Sequence, residues 1–274
     1  MKVTLLGTGS PIPHPFRAGP ATLVQAGTDS VLVDAGRGVI MRLAQAGLVP
    51  TMLSGVVLTH LHSDHVCDLN DIITTHWVMS PSPTPLRIVG PRGTQDFVDR
   101  TIAALHADVS YRIAHHADLD DGPWVDVHEV GPGDELTVGS LALTVGSTDH
   151  RPVEPSVGYR FEHEGASVAV AGDGVPCDTL DALTRGATAY VQTVIRDDIV
   201  RQVPNARLQD ILDYHSTVGQ AAATASRAGV GYLILTHYVP APAPGTEQEW
   251  RDLAVGFTGE VIVGDDLTSV EFTA

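Results

Sequence analysis

The stretch Val56-Val57-Leu58-Thr59-His60-Leu61-His62-Ser63-Asp64-His65-Val66-Cys67-Asp68 decides how the rest of the chain is read. Val56 to Leu58 form an apolar run of the kind that ends a buried strand. Three histidines and two aspartates follow within nine residues. In an extended chain, side chains two apart share a face, so His60 and His62 stand side by side while Leu61 points away. Ser63 marks a turn, and Asp64 and His65 are placed to open a helix. A strand end that throws four imidazole and carboxylate ligands into one space suits zinc. One tetrahedral ion cannot comfortably use all four from so short a span. Two adjacent ions can, and two-metal hydrolytic sites hold their ions roughly 3.5–4 Å apart. A surface loop that merely happens to be polar would not place His-x-His-x-Asp-His directly behind a β-branched strand.

Working outward, the strand Val56–Leu58 belongs to a long series of short strands. Val3 to Leu6 reads as a strand ended by the turn Gly7-Thr8-Gly9-Ser10-Pro11. Residues 21–25 and 30–34 read as a hairpin joined at Gly27-Thr28-Asp29. Asp34-Ala35-Gly36 leads to a helix over 38–46 closed by Gly47. After His65 the pattern predicts a helix to about Met79, then a rigid connector with Pro81, Pro83 and Pro85. Strands are predicted at 86–89, 124–130, 135–138, 141–148, 157–162, 167–171, 189–195, 231–236, 261–263 and 268–272. Helices are predicted at 94–106, 177–184 and 246–255, and Thr217-Val218-Gly219-Gln220 matches a capping box opening another that stops at Gly229. Signals are weak over 107–121, where His115-His116 read as a solvent-exposed pair, and over 196–209. Strands that arrive in hairpins and then alternate with helices, twice over, predict an α/β fold of two mixed sheets packed face to face with helices outside, an αββα sandwich. No linker of disorder-like composition divides residues 1–274, so a single domain is expected.

Composition fits that picture. The 274 residues are 43% hydrophobic, enough for a sizeable core, and 27 glycines and 18 prolines suit many short strands joined by turns. The net charge is −17, and Lys2 is the only lysine among the basic residues. A body this acidic repels a polyphosphate backbone unless basic residues cluster locally, and none do in the sequence, so nucleic acid is not the expected partner. Cys67 and Cys177 make no disulfide framework and read as small, partly buried thiols. The apolar run at Met1–Leu6 is too short for a signal peptide and no run reaches transmembrane length, so a cytoplasmic protein with no membrane association is expected.

Three later strands each deliver a ligand-type residue at their end. Leu141–Thr148 leads to His150, Val168–Ala171 to Asp173, and Tyr232–Thr236 to His237. Alone, each is an ordinary loop residue. With His60, His62, Asp64 and His65 they make seven candidate ligands, all behind strands, and sandwich folds gather strand ends at one edge. The His-x-His-x-Asp-His run and the order of these later residues resemble the metallo-β-lactamase fold, a large hydrolase superfamily. That resemblance implies one metal on His60, His62 and His150, a second on Asp64, His65 and His237, and Asp173 bridging them, with a water acidified between the two ions. The implied cofactors are two zinc ions per chain, with manganese or iron as substitutes.

Within the superfamily the chain looks like the ribonuclease Z and arylsulfatase-like branch. Gly7-Thr8-Gly9-Ser10, Pro155-Ser156-Val157-Gly158-Tyr159-Arg160, Leu235-Thr236-His237-Tyr238 and Tyr214-His215-Ser216-Thr217 carry that likeness. It implies a catalytic His215 that assists phosphodiester cleavage, alongside an Asp64 that orients the nucleophile, and a homodimer. Ribonuclease Z carries a long, basic RNA-gripping insertion between its Gly-Tyr-Arg strand and its Gly-Asp strand. Here only twelve residues separate Arg160 from Asp173, and they include Glu162-His163-Glu164. With the acidic body, this points away from transfer RNA and toward a small anionic or ester substrate. The expected activity is therefore a dinuclear zinc hydrolase of a small phosphodiester or an aryl sulfate ester. Lactone or β-lactam cleavage on the same metals is the alternative, ahead of tRNA 3′-end processing or a non-catalytic metal-binding relative.

Overall fold

The chain is described over residues 1–272 by a computed structural model. Its first half builds a seven-stranded sheet from β1 (Lys2–Gly7), β2 (Ala21–Ala26), β3 (Asp29–Val33), β4 (Gly55–Val57), β5 (Leu86–Pro91) and β6 (Val125–Val130). The second half builds another from β7 (Glu135–Val138), β8 (Leu141–Ser147), β9 (Val157–His163), β10 (Ala166–Val170), β11 (Ala189–Ile195), β12 (Tyr232–Val239) and β13 (Glu260–Val263). The last strand, β14 (Ser269–Glu271), returns to the first sheet beside β1. The strand orders are β14-β1-β2-β3-β4-β5-β6 and β13-β12-β11-β10-β9-β8-β7. Both sheets are mixed: β3 to β6 run parallel, as do β10 to β13, and the hairpin strands are antiparallel.

Period-two alternation explains the layers. In β3, Val31 and Val33 face inward, where they meet Val57 and Val89 from their own sheet and Leu143, Val145, Tyr159, Phe161, Val168 and Val191 from the other. Leu32, Val56, Leu58 and Ile88 face outward, under α1 (Val39–Gln45), α3 (Leu69–Met79) and α4 (Thr94–Ala104). On the far side, Ala169, Tyr190, Leu233 and Leu235 pack under α6 (Asp178–Thr184), α9 (Val218–Ala228) and α10 (Glu247–Arg251). The result is the expected αββα sandwich.

Two local expectations are revised. The helix after His65 is not continuous: α2 (Ser63–Val66) ends at Cys67, and α3 starts after Asp68. Asp68 is drawn to the start of α1, where its carboxylate accepts from the Ile40 N–H at 3.0 Å, and its own N–H donates to the Ala35 carbonyl. The weak region after residue 106 holds α5 (His106–His115), whose Val109 helps enclose Trp77. His115 and His116 are exposed, as read. Short helices α7 (Asp197–Val200) and α8 (Ala206–Gln209) occupy the unpatterned polar segment. The capping box is present in full: Thr217 Oγ1 accepts from the Gln220 N–H, and Gln220 Oε1 accepts from the Thr217 N–H. No helix among the described residues is long and apolar enough to cross a membrane.

Candidate metal centre

The parallel strands β4, β10 and β12 and the antiparallel β8 bring their ends to one edge of the sandwich; six of the seven predicted ligands lie just past one of those ends, and His237 lies in the second half of β12. His60 and His62 stand side by side as extended chain requires, with His60 Nε2 3.0 Å from His62 Nδ1. His150 comes in from the opposite sheet, its Nε2 3.4 Å from the same His62 nitrogen. Two nitrogens each about 2.1 Å from one tetrahedral ion stand about 3.4 Å apart, so the three rings are spaced as ligands of a common cation. Asp64, in the first turn of α2, and His237, held at φ 51° past the middle of β12, meet at 3.2 Å. His65 Nε2 lies 3.7 Å from the same Asp64 oxygen.

Asp173 sits between these two groups. Its Oδ2 is 3.3 Å from His65 Nε2, 3.5 Å from His237 Nε2, and 3.9 Å from both His60 Nε2 and His150 Nε2. Gly172 delivers it at φ 69°, with the Cβ-facing side of Gly172 against Thr59, where a side chain would not fit. Gln192 Nε2 and Thr193 Oγ1 both donate to the Gly172 carbonyl and fix that turn.

The outward-facing ring nitrogens are also assigned by their neighbours. Asp34, also at positive φ just past β3, accepts from His65 Nδ1 at 2.8 Å, and from the Thr59 N–H and hydroxyl. Since the Thr59 hydroxyl donates to Asp34, it accepts from His60 Nδ1 at 3.0 Å. His150 Nδ1 donates to the Tyr214 carbonyl at 2.9 Å. All three imidazoles therefore turn Nε2 toward the centre, the arrangement by which carboxylates and carbonyls orient metal-bound histidines. Asp34 is a residue of this centre that sequence reading passed over.

The residues fit metal ions. His65 Nε2 and Asp173 Oδ1 are buried with no hydrogen-bond partner, a costly state for polar atoms unless a cation meets them. The donor atoms form three clusters that could hold a cation: His60, His62, His150 and Asp173; Asp64, His65 and His237; and Asp173, His215 and His237. Burial, followed by the charge of His65, holds His60 well below the usual imidazole range, and burial lowers His150 too. Both are thus poised to bind as neutral ligands. Burial also works against charge on His65, but the carboxylates of Asp173 and Asp34 outweigh it and raise this imidazole well above its ordinary value. Burial would raise Asp173, yet the imidazoles of His237 and His65 keep it well below the carboxylate range.

His215 joins the same centre. Its Nε2 is 3.3 Å from Asp173 Oδ2, and its Nδ1 donates to the Ile211 carbonyl at 3.2 Å. Ser216 Oγ donates to the Gly174 carbonyl, tying the loop before α9 to the loop that carries Asp173. Cys67 is exposed and Cys177 half-buried, and neither is among the clustered donors.

Comparison with known proteins places this geometry. The model of the family described as "Beta-lactamase superfamily domain" matches residues 29–238. A protein named Ribonuclease Z from Mycobacterium bovis (strain BCG / Pasteur 1173P2) is 55% identical over 274 residues, covering 99% of this chain and 98% of that one. Another of that name from Mycolicibacterium paratuberculosis is 56% identical over 277 residues, covering 100% and 99%. Among solved structures, the metallo-beta-lactamase fold protein YhfI from Bacillus subtilis superposes with a TM-score of 0.76 at 23% identity, covering 98% of each chain. The short form of human tRNase Z does so with a TM-score of 0.74 at 24% identity, covering 100% of each. These two share the fold.

Two expectations are overturned by these relatives. A small phosphodiester or aryl sulfate ester was expected as substrate and nucleic acid was not, yet the end-to-end relatives are named as ribonucleases. The argument from net charge failed because −17 is a sum over the whole surface. Beyond a Debye length of about 8 Å such charges are screened, and a phosphate entering the site meets only its local cations. The argument from the missing arm failed as well. Here β9 and β10 are joined by a tight turn at Glu164-Gly165, and relatives that align over 98–99% of their own length leave no room for a long insertion either. Lack of the arm is common to these proteins.

Proposed function

This chain belongs to the beta-lactamase superfamily and, within it, to the ribonuclease Z family, a membership that makes it a metal-dependent hydrolase of ester bonds, and we propose that the bond it cuts is a phosphodiester in RNA, at the 3′ end of transfer RNA precursors. The observation that carries RNA over a smaller ester is the identity of more than half the residues along the entire length of proteins named Ribonuclease Z.

His60, His62 and His150 would hold one ion, Asp64, His65 and His237 the other, and Asp173 would be shared between them. Imidazole and carboxylate donors favour zinc. When bound, the ions would supply an activated water and a clamp on the attacking and leaving oxygens of an in-line displacement. The protein's own part is orientation and proton transfer. Asp34, Thr59 and the Tyr214 carbonyl fix the rings, so that the ligands do not reorganise during the reaction. Asp64, on the first turn of α2, orients the attacking water. His215, aimed into the centre from outside the two ligand triplets, gives a proton to the departing ribose oxygen.

The test is incubation of the zinc-loaded protein with a transfer RNA transcript carrying a 3′ trailer. A single endonucleolytic cut, absent in Asp173→Ala, is expected. Hydrolysis of bis(p-nitrophenyl) phosphate with the transcript left intact would refute the RNA reading.

A further inference from the structure

Because β4, β5 and β6 are parallel, the chain leaves their ends at the same edge: toward His60 from β4, at Arg92 from β5 and at Gly131 from β6. From the second sheet, β8 ends at Ser147 and β9 begins at Val157 on that edge too. Between these ends lies an open cavity of about 690 Å³, lined by Arg92, Gly131, Asp149, Ser156 and Thr179 among others. Its size is within the range of about 300–1,000 Å³ typical of sites for small molecules, which fits one nucleotide and is too small for a helix of paired RNA. It neighbours the metal centre through the backbone, with no candidate ligand on its own wall. The Val157 N–H on its wall donates to the carbonyl of Thr59, the residue before His60, and Asp149 on its wall precedes His150.

Its charged and polar groups include satisfied ones and two exposed charges unpaired among the described residues, Glu154 and Arg92. Arg151 is already held by Asp149 through two contacts of 2.6 and 2.9 Å, and the hydroxyls of Thr148 and Ser156 bond each other. Arg92 is exposed and pairs with no carboxylate among the described residues, although it stands in a chain with twice as many acidic as basic side chains. A guanidinium without a carboxylate partner on the wall of a cavity beside a phosphodiester-cleaving centre is suited to a phosphate.

We infer that this cavity receives the nucleotide adjoining the scissile phosphate, and that Arg92 contacts the next phosphate along the strand. The inference rests on the RNA reading above. It assigns Arg92 a role in substrate positioning rather than in chemistry.

The experiment measures steady-state cleavage of the trailer-bearing transcript by the zinc-loaded protein across a range of salt concentrations, for wild type, Arg92→Ala, Arg92→Lys and Arg185→Ala. Arg185 is an exposed arginine past α6 whose removal changes the net charge equally, but it lies at the opposite edge, before β11. Loss of one charged phosphate contact should raise KM roughly tenfold for Arg92→Ala with kcat retained. The slope of log kcat/KM against log salt should flatten by about one. Arg92→Lys should recover most of the loss and Arg185→Ala should match wild type. An Arg92→Ala enzyme with wild-type KM and salt slope, or an equal loss in Arg185→Ala, overturns the inference and leaves the RNA reading standing. A wild type that hydrolyses bis(p-nitrophenyl) phosphate but never the transcript overturns both.

Discussion

Asp34 Oδ2 lies 2.8 Å from His65 Nδ1, so a carboxylate at the end of β3 fixes the tautomer of an imidazole delivered by a different strand. The same carboxylate also takes the Thr59 N–H and hydroxyl, and through Thr59 it orients His60. One side chain thus aims a ligand from each of the two histidine groups. Asp34→Asn keeps the shape but replaces an acceptor oxygen with an amide donor. Such outer contacts are typically worth about 10–100-fold in metal affinity. Asp34→Asn should therefore weaken zinc binding by that order, read by competition with a chromophoric chelator, with the fold retained by circular dichroism. Unchanged affinity would reduce Asp34 to a structural support.

The contrast between Asp34 and His237 shows what was legible in the sequence. His237, His150 and Asp173 could be found because each follows an apolar, β-branched run, and strand ends gather at one edge. The same alternation gave the two sheets and their order of appearance. Asp34 also follows such a run, but a lone aspartate before Ala35-Gly36 looks like the lead into a helix. Its role depends on the register of β3 against β4, which brings Val33 beside Val57 and leaves the Asp34 carboxylate within hydrogen-bond reach of Thr59. Pairing across a sheet is not written in local pattern. The break between α2 and α3 was hidden for the same reason, since Asp68 is recruited by α1, nearly thirty residues upstream. Substrate was misjudged because a whole-chain charge sum says little about the charge in one local cavity.

Asp173 is the only candidate ligand whose carboxylate lies within 4 Å of imidazoles from both groups, among the described residues. Asp173→Ala should lower the occupancy of both ions, because it removes a shared anion between two cations. His150→Ala should remove one ion and largely spare the other. Elemental analysis of protein purified without chelator distinguishes the cases. Two ions and full activity in Asp173→Ala would show that the carboxylate is not shared.

Metal loading should release a proton through His65. In the metal-free centre burial works against charge on this imidazole, but Asp173 and Asp34 outweigh it and raise the ring well above its ordinary value of 6.5, so it keeps its proton to higher pH than a free imidazole does. The sign follows from that direction: the attraction between His65 and the carboxylates is fully present below the unfolded value and disappears as pH rises through the raised one. A metal needs the neutral ring, so binding must expel the proton the ring holds, and affinity must fall as pH falls. Zinc titrated into the apoprotein in weak buffer should release protons at pH 7, with the count declining toward alkaline pH. A count that does not vary with pH would mean that His65 is already neutral.

His215 separates ligation from proton transfer. It approaches Asp173 at 3.3 Å yet stands outside the two triplets assigned to the ions, so His215→Ala should retain two bound metals. General acid catalysis typically contributes about 10²–10⁴-fold in rate, and the loss should fall on kcat rather than on metal content. It should depend on the leaving group. A ribose oxygen is strongly basic and cannot depart without a proton, so cleavage of the RNA transcript should suffer the whole loss. The p-nitrophenolate of bis(p-nitrophenyl) phosphate leaves readily as an anion, and its release should suffer little. Equal losses for both substrates would mean that His215 positions the phosphate, because positioning is needed whichever group departs. Loss of an ion in His215→Ala would instead make it a ligand, as the cluster with Asp173 and His237 permits on distance alone.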